Sequence, residues 1–82
     1  MISYQLSFHA TTMQRERDIR ELWVRMTIEN PDMTEQKLDG TIHYIRGITE
    51  NGGRYLRVII NPAFDPVLVI TMFFDRGLGR LV

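Results

Sequence analysis

The chain has no cysteine, one lysine, one tryptophan and three prolines among its 82 residues. Without cysteine there can be no disulfide framework, no zinc–thiolate site and no thiol nucleophile. Charge of one sign is also missing: ten Lys and Arg face ten Asp and Glu, a formal charge of zero. No strong field therefore draws a polyanion by bulk charge. The longest apolar run, residues 67–74 interrupted by Thr71, is too short to cross a bilayer. Residues 1–6 carry neither the basic region nor the apolar stretch of a signal peptide. A soluble cytoplasmic protein with no membrane partner is expected. What is present is globular composition, 44% hydrophobic and 24% charged, in a length suited to one small core. A single domain over 1–82 follows.

The charges that exist are unevenly placed. Residues 1–45 hold five basic and seven acidic side chains, residues 46–82 five basic and three acidic. All the basic residues except Lys37 are arginine, so the positive surplus of the second half is entirely guanidinium.

Hydrophobic periodicity gives the elements. Residues 4–8 alternate apolar and polar side chains, a first strand. Ala10, Met13 and Arg17 can share a helical face. Ile19, Leu22, Trp23 and Met26 then fall at i, i+3, i+4 and i+7, the stripe of an amphipathic helix. Trp23 and Met26 are read as core. Glu16 with Arg20, Arg17 with Glu21 and Glu21 with Arg25 are spaced for i,i+4 ion pairs. Asn30-Pro31 ends that helix, because proline pushes its predecessor out of the α region. Beyond it, Asp39-Gly40 and Asn51-Gly52-Gly53 mark turns between strands at 34–38, 41–50 and 54–61. Residues 62–66 turn the chain into a last strand at 67–74, apolar on both faces and so placed centrally or covered on both sides. The order β-α-α-β-β-β-β describes an α+β domain, two N-terminal helices on one face of a mainly antiparallel four- to five-stranded sheet.

Pairing the strands across Asn51-Gly52-Gly53 distributes the side chains. A loop of two or four residues puts His43, Ile45, Gly47 and Thr49 with Leu56, Val58 and Ile60, toward the helices. The other face then carries Tyr44, Arg46 and Ile48 beside Tyr55, Arg57 and Ile59, with Arg46 directly opposite Arg57 for a four-residue loop. Two like charges so placed repel and call for an anion, an acid or open solvent. A three-residue loop or a bulge would reverse the facing.

His9-Ala10, Arg17, Ile19, Val24 and Asn30-Pro31-Asp32 resemble the signature H-A-x-x-R-x-x-x-R-x-I, V, N-P-D of an uncharacterised bacterial domain of unknown function. Leu56-Arg57-Val58, Val69-Ile70-Thr71 and Phe73-Phe74-Asp75-Arg76 resemble its C-terminal half, L-R-V, V-x-T and F-F-D-R. That family is related to BrnT and, more distantly, to the RelE/ParE toxins. The resemblance implies the RelE/ParE-like fold and the toxin role in a toxin–antitoxin pair, with an antitoxin protein as partner. RelE-like members cut messenger RNA on the ribosome without a metal; ParE-like members act on DNA gyrase. Met13 stands where the signature has its first arginine, and the isoelectric point near 6.7 is low for an RNA-cutting relative.

Metal-free RNA cleavage needs a base for the 2′-hydroxyl proton, a cation on the phosphate and an acid for the leaving oxygen. The candidate catalytic residues are Arg57, Arg46, Arg17 and His9. Arg57 and Arg46 would grip phosphate oxygens. Arg17 matches the second signature arginine, although pairing with Glu21 is the plainer role. His9 stands at the strand-to-helix junction, where it could instead cap the helix start. Tyr44 and Tyr55 could stack on bases, with Thr71 and Arg76 completing the substrate-binding set. His43, facing the helices, reads as a buried or edge histidine. Two histidines without a paired carboxylate motif make no metal site. No cofactor is expected: Gly52-Gly53 is a turn, Gly77-Leu78-Gly79 a tail, and neither a phosphate-cradling loop. The alternative to a metal-independent endoribonuclease is a non-catalytic module of the same fold that binds a protein. The apolar last strand and Leu81-Val82 could support a homodimer or receive an antitoxin helix.

Overall fold

The structure, a computed structural model, describes residues 2–80. Strand β1 (Tyr4–Leu6) leads through Ser7 into helix α1 (Phe8–Glu16), followed by helix α2 (Glu21–Glu29). Strands β2 (Met33–Gln36), β3 (Ile42–Ile48), β4 (Arg54–Asn61) and β5 (Val67–Phe74) complete the chain, with short 3₁₀ turns at Thr49–Asn51 and Arg76–Leu78. The five strands form one sheet in the order β1-β5-β4-β3-β2. All neighbours are antiparallel except β1 and β5, so the sheet is mixed. The fold is α+β, with the elements in the expected order. β5 lies inside the sheet between β1 and β4, which accounts for its apolar residues on both faces.

Local chemistry sets the helix ends. Ser7 caps α1: its hydroxyl accepts from the Ala10 N–H at 3.0 Å and donates to the Ile70 carbonyl at 2.8 Å. Ile70 is the extra residue where the β4–β5 register shifts between Ile59 and Ile60, so one hydroxyl serves both a helix end and a bulge. Ser7→Ala should lower stability by about 1–2 kcal/mol, read as a shift of the urea midpoint with unchanged slope.

At the far end of α1, Asp18 adopts a left-handed conformation, φ 52°. The Asp18 N–H reaches the Arg15 carbonyl and the Ile19 N–H the Gln14 carbonyl. This is a Schellman closure with buried Ile19 as its apolar anchor. The break corrects the expected stripe and ion pairs. Ile19 lies outside α2, Leu22 is exposed, and the face that α2 buries is Trp23, Val24, Thr27 and Ile28. Of the three i,i+4 pairs only Arg25–Glu21 forms among the described residues, because the other two would span the break.

Both helices pack on one face of the sheet. The core joins Ala10, Trp23, Val24 and Ile28 to Ile48, Leu56, Val58, Ile60, Val69 and Met72. Among the described residues no helix covers the opposite face. No helix among the described residues is long and apolar enough to cross a membrane. Leu81 and Val82, the expected docking end, lie outside the described residues.

Candidate functional site

The β3–β4 register decides which side chains meet. Ile45 is opposite Arg57, Tyr44 opposite Val58 and Arg46 opposite Leu56. The connection between the strands has five residues, a 3₁₀ turn at Thr49–Asn51 and then Gly52 and Gly53 at positive φ. Its odd length reverses the expected facing. His43, Ile45, Tyr55, Arg57 and Ile59 share the open face, while Tyr44, Arg46 and Ile48 share the helix face with Leu56, Val58 and Ile60.

Arg46 and Arg57 are therefore on opposite sides of the sheet. Arg46 donates to the carbonyl of Asn30, the residue closing α2. A cation at a helix C-terminus complements the dipole there, so Arg46 is a capping residue. Tyr44 packs partly buried against the core and forms no joint stacking surface with Tyr55. Arg17 is exposed at the end of α1 and makes no salt bridge among the described residues. His9 is exposed on the first turn of α1, in the helix layer, and Ser7 does the capping expected of it. Thr71 is on the open face opposite Ile59. Arg76 lies beyond β5 in the last 3₁₀ turn. Of the eight candidates, the register brings only Arg57, Tyr55 and Thr71 onto one face.

Arg57 sits at the centre of a cluster that reaches across three strands and beyond a fourth. Its Nε donates to Asp75 at 2.8 Å and its Nη1 to Glu35 at 2.9 Å. Nη1 also lies 2.9 Å from His43 Nδ1. Lys37 Nζ stands 2.9 Å from the same Glu35 oxygen. β2 supplies Glu35 opposite His43 of β3, while Asp75 follows β5 directly. The Arg57 side chain is 12% exposed, so its charge is desolvated and held by named partners. The Nη2 group makes no hydrogen bond among the described residues.

The titratable groups respond accordingly. Lys37 and then Arg57 hold the Glu35 carboxyl down to about 2. For Arg57, burial disfavours the charge, but Glu35 and Asp75 together outweigh it and hold the guanidinium above its ordinary value. Burial first, then the positive charges of Arg57 and Lys37, push the His43 imidazole below its ordinary value. Guanidinium only donates, so His43 Nδ1 carries its lone pair here and the neutral ring bears its proton on Nε2. The cluster thus holds two cations, two carboxylates and a neutral imidazole at pH 7.

The sequence pattern gives Glu35 and Lys37 no role and reads His43 as a buried or edge histidine, whereas the register puts it beside Arg57. The signal available was parity: one more loop residue moves His43 from the core side to the Arg57 side. Asp32 of the N-P-D signature has a structural role. Its carboxylate accepts from the Gly47 N–H at 2.8 Å and its own N–H donates to the Ile45 carbonyl at 2.8 Å, extending the β2–β3 ladder. A cavity of about 400 Å³ lies between β1 and the helices beside Tyr4, Gln14, Glu21 and Arg25 and includes none of the cluster. Among the described residues no three His, Asp or Glu side chains gather to hold a metal ion.

The sequence profile of the domain of unknown function DUF4258 matches residues 6–74. The chain belongs to the DUF4258 family. No curated protein and no solved structure matches it. The DUF4258 match ends at Phe74, so it takes in Glu35, Lys37, His43 and Arg57 and stops one residue before Asp75.

Proposed function

We propose that this DUF4258 protein is a toxin-like, metal-independent endoribonuclease, related to the BrnT and RelE/ParE toxins, with its site on the open face of the sheet. The observation that carries the reading is the convergence of Glu35, Lys37 and His43 on Arg57, on a face without a helix. Arg57 offers the free Nη2 donors to a phosphate, and Lys37 adds a second cation. An incoming phosphate also competes for Nη1, which frees His43 Nδ1 to act as a base near neutral pH. His43 takes the 2′-hydroxyl proton, and the 2′-oxygen attacks phosphorus. The bond from phosphorus to the 5′-oxygen breaks, and Lys37 gives that oxygen its proton. The products are a 2′,3′-cyclic phosphate and a 5′-hydroxyl. Glu35 orients Lys37 and Arg57 for this work.

A second reading has its own support. Glu35 and Asp75 already balance the Arg57 charge, which suits a protein-binding module as well as a phosphate site. One experiment separates the two. The purified protein is mixed with single-stranded RNA, with and without ribosomes, in EDTA, and the new ends are identified. Cyclic phosphate and 5′-hydroxyl ends are expected. Intact RNA in both mixtures sinks the ribonuclease reading and leaves the binding module.

A further inference from the structure

Three arginines that play no part in the Arg57 cluster converge at one end of the sheet. Arg54 opens β4, Arg76 lies in the last 3₁₀ turn, and Arg80 pairs with Arg54 in an isolated antiparallel bridge. Together with Phe74, Asp75 and Gly79 they line a cavity of about 220 Å³. None of the three forms a salt bridge among the described residues. The one acid in the lining is already committed: Asp75 Oδ2 accepts from Arg57 Nε and Oδ1 from the Gly77 N–H.

Like charges directly opposite in a β pair are destabilising, and a third guanidinium beside them worsens the arrangement. All three side chains belong to exposed residues, so solvent relieves part of the repulsion. An anion relieves more, because several planar forks can close on one phosphate. The wall between them is not polar throughout. Phe74 is part of it, and its ring packs edge-to-face on Trp23 with centroids 6.1 Å apart. An aromatic surface rimmed by guanidinium groups is suited to a nucleobase with its phosphate, the combination that single-strand binding sites use.

We infer that the Arg54–Arg76–Arg80 cavity is a nucleotide subsite for single-stranded RNA, with phosphate on the arginines and base on Phe74. Asp75 joins it to the cleavage cluster, since the same carboxylate lines the cavity and holds Arg57. The inference rests on the reading of the protein as acting on RNA, and it deepens that reading by giving the strand a second point of attachment. A chain of zero net charge gains its grip locally, through three arginines that form no salt bridge among the described residues.

The probe is a fluorescent single-stranded oligonucleotide with 2′-O-methyl riboses, which cannot be cleaved, read by anisotropy over a range of salt. The variant is R54Q/R76Q/R80Q, chosen because all three residues are exposed; an unchanged melting curve shows that it folds. The variant is expected to bind about tenfold or more weakly at low salt, with a salt slope reduced by roughly two, since each single-strand phosphate contact contributes about 0.7. A variant that binds as wild type does overturns the inference, as does a wild-type protein that does not bind the oligonucleotide. Equal affinity for the duplex form overturns the base-holding role of Phe74. Wild type that binds through these arginines but leaves cleavable RNA intact upholds the subsite and sinks the ribonuclease reading alone.

Discussion

His43→Gln is expected to reduce RNA cleavage by about 10²–10⁴-fold, the span that a positioned general base contributes, with little change in the melting temperature. Glutamine keeps a polar side chain beside Arg57 and can still accept from Nη1, so the local hydrogen bond survives while the proton acceptor is lost. The pH profile of wild type tests the same residue in another way. Burial and the adjacent Arg57 and Lys37 charges lower the His43 value from 6.5. A base works in its deprotonated form, so cleavage should rise with pH through an apparent value below 6.5. Glu35, at about 2, is ionised throughout that range and adds no limb of its own. If the rising limb instead falls at or above 6.5, or if the glutamine variant cleaves at the wild-type rate, His43 is not the base. A lowered melting temperature with unchanged cleavage per folded molecule would make it a structural partner of Arg57.

The residues that misled are as informative as those that did not. Turn chemistry at Asp39-Gly40 and Asn30-Pro31 placed the ends of elements correctly, because these local preferences need no tertiary information. The alternation of β3 and β4 was also legible, and it sorted Leu56, Val58 and Ile60 to one side and Arg57 and Ile59 to the other. Alternation says which residues of one strand share a face, but not which residues of the next strand join them. That depends on whether the connection is odd or even, and Asn51-Gly52-Gly53 hid a 3₁₀ turn that lengthened it to five residues. One residue of parity put His43 in place of Arg46 beside Arg57 and moved Tyr44 away from Tyr55 to the helix side. The repulsion once expected between Arg46 and Arg57 is real physics at a different address: the opposed pair is Arg54 with Arg80. Glu35 and Asp75 come from outside the hairpin altogether, and only the assembled sheet brings them to Arg57.

The largest loss of stability should come from Trp23→Ala, about 3–5 kcal/mol for emptying a buried tryptophan site. An 82-residue domain has about 4–12 kcal/mol to lose at ordinary stability per residue, so this variant should lose about a quarter of that or more. Trp23 is 7% exposed, packs its ring edge-to-face on Phe74 at an interplanar angle of 73°, and carries Arg20 over its face at 5.6 Å. Trp23→Phe keeps an aromatic ring in most of that space and should cost less than half as much. Both are read from urea midpoints with the slope held as the check on two-state unfolding. The pair also separates packing from binding. Phe74 meets the core through Trp23 and lines the Arg54–Arg76–Arg80 cavity. Trp23→Phe should therefore stay folded yet let the Phe74 ring shift, weakening the uncleavable oligonucleotide while Arg57, on the other face, keeps its partners. Wild-type affinity in a folded Trp23→Phe protein would mean that the cavity does not depend on how the core holds Phe74. An unfolding free energy for Trp23→Ala within about 1 kcal/mol of wild type would place the core's main aromatic support elsewhere.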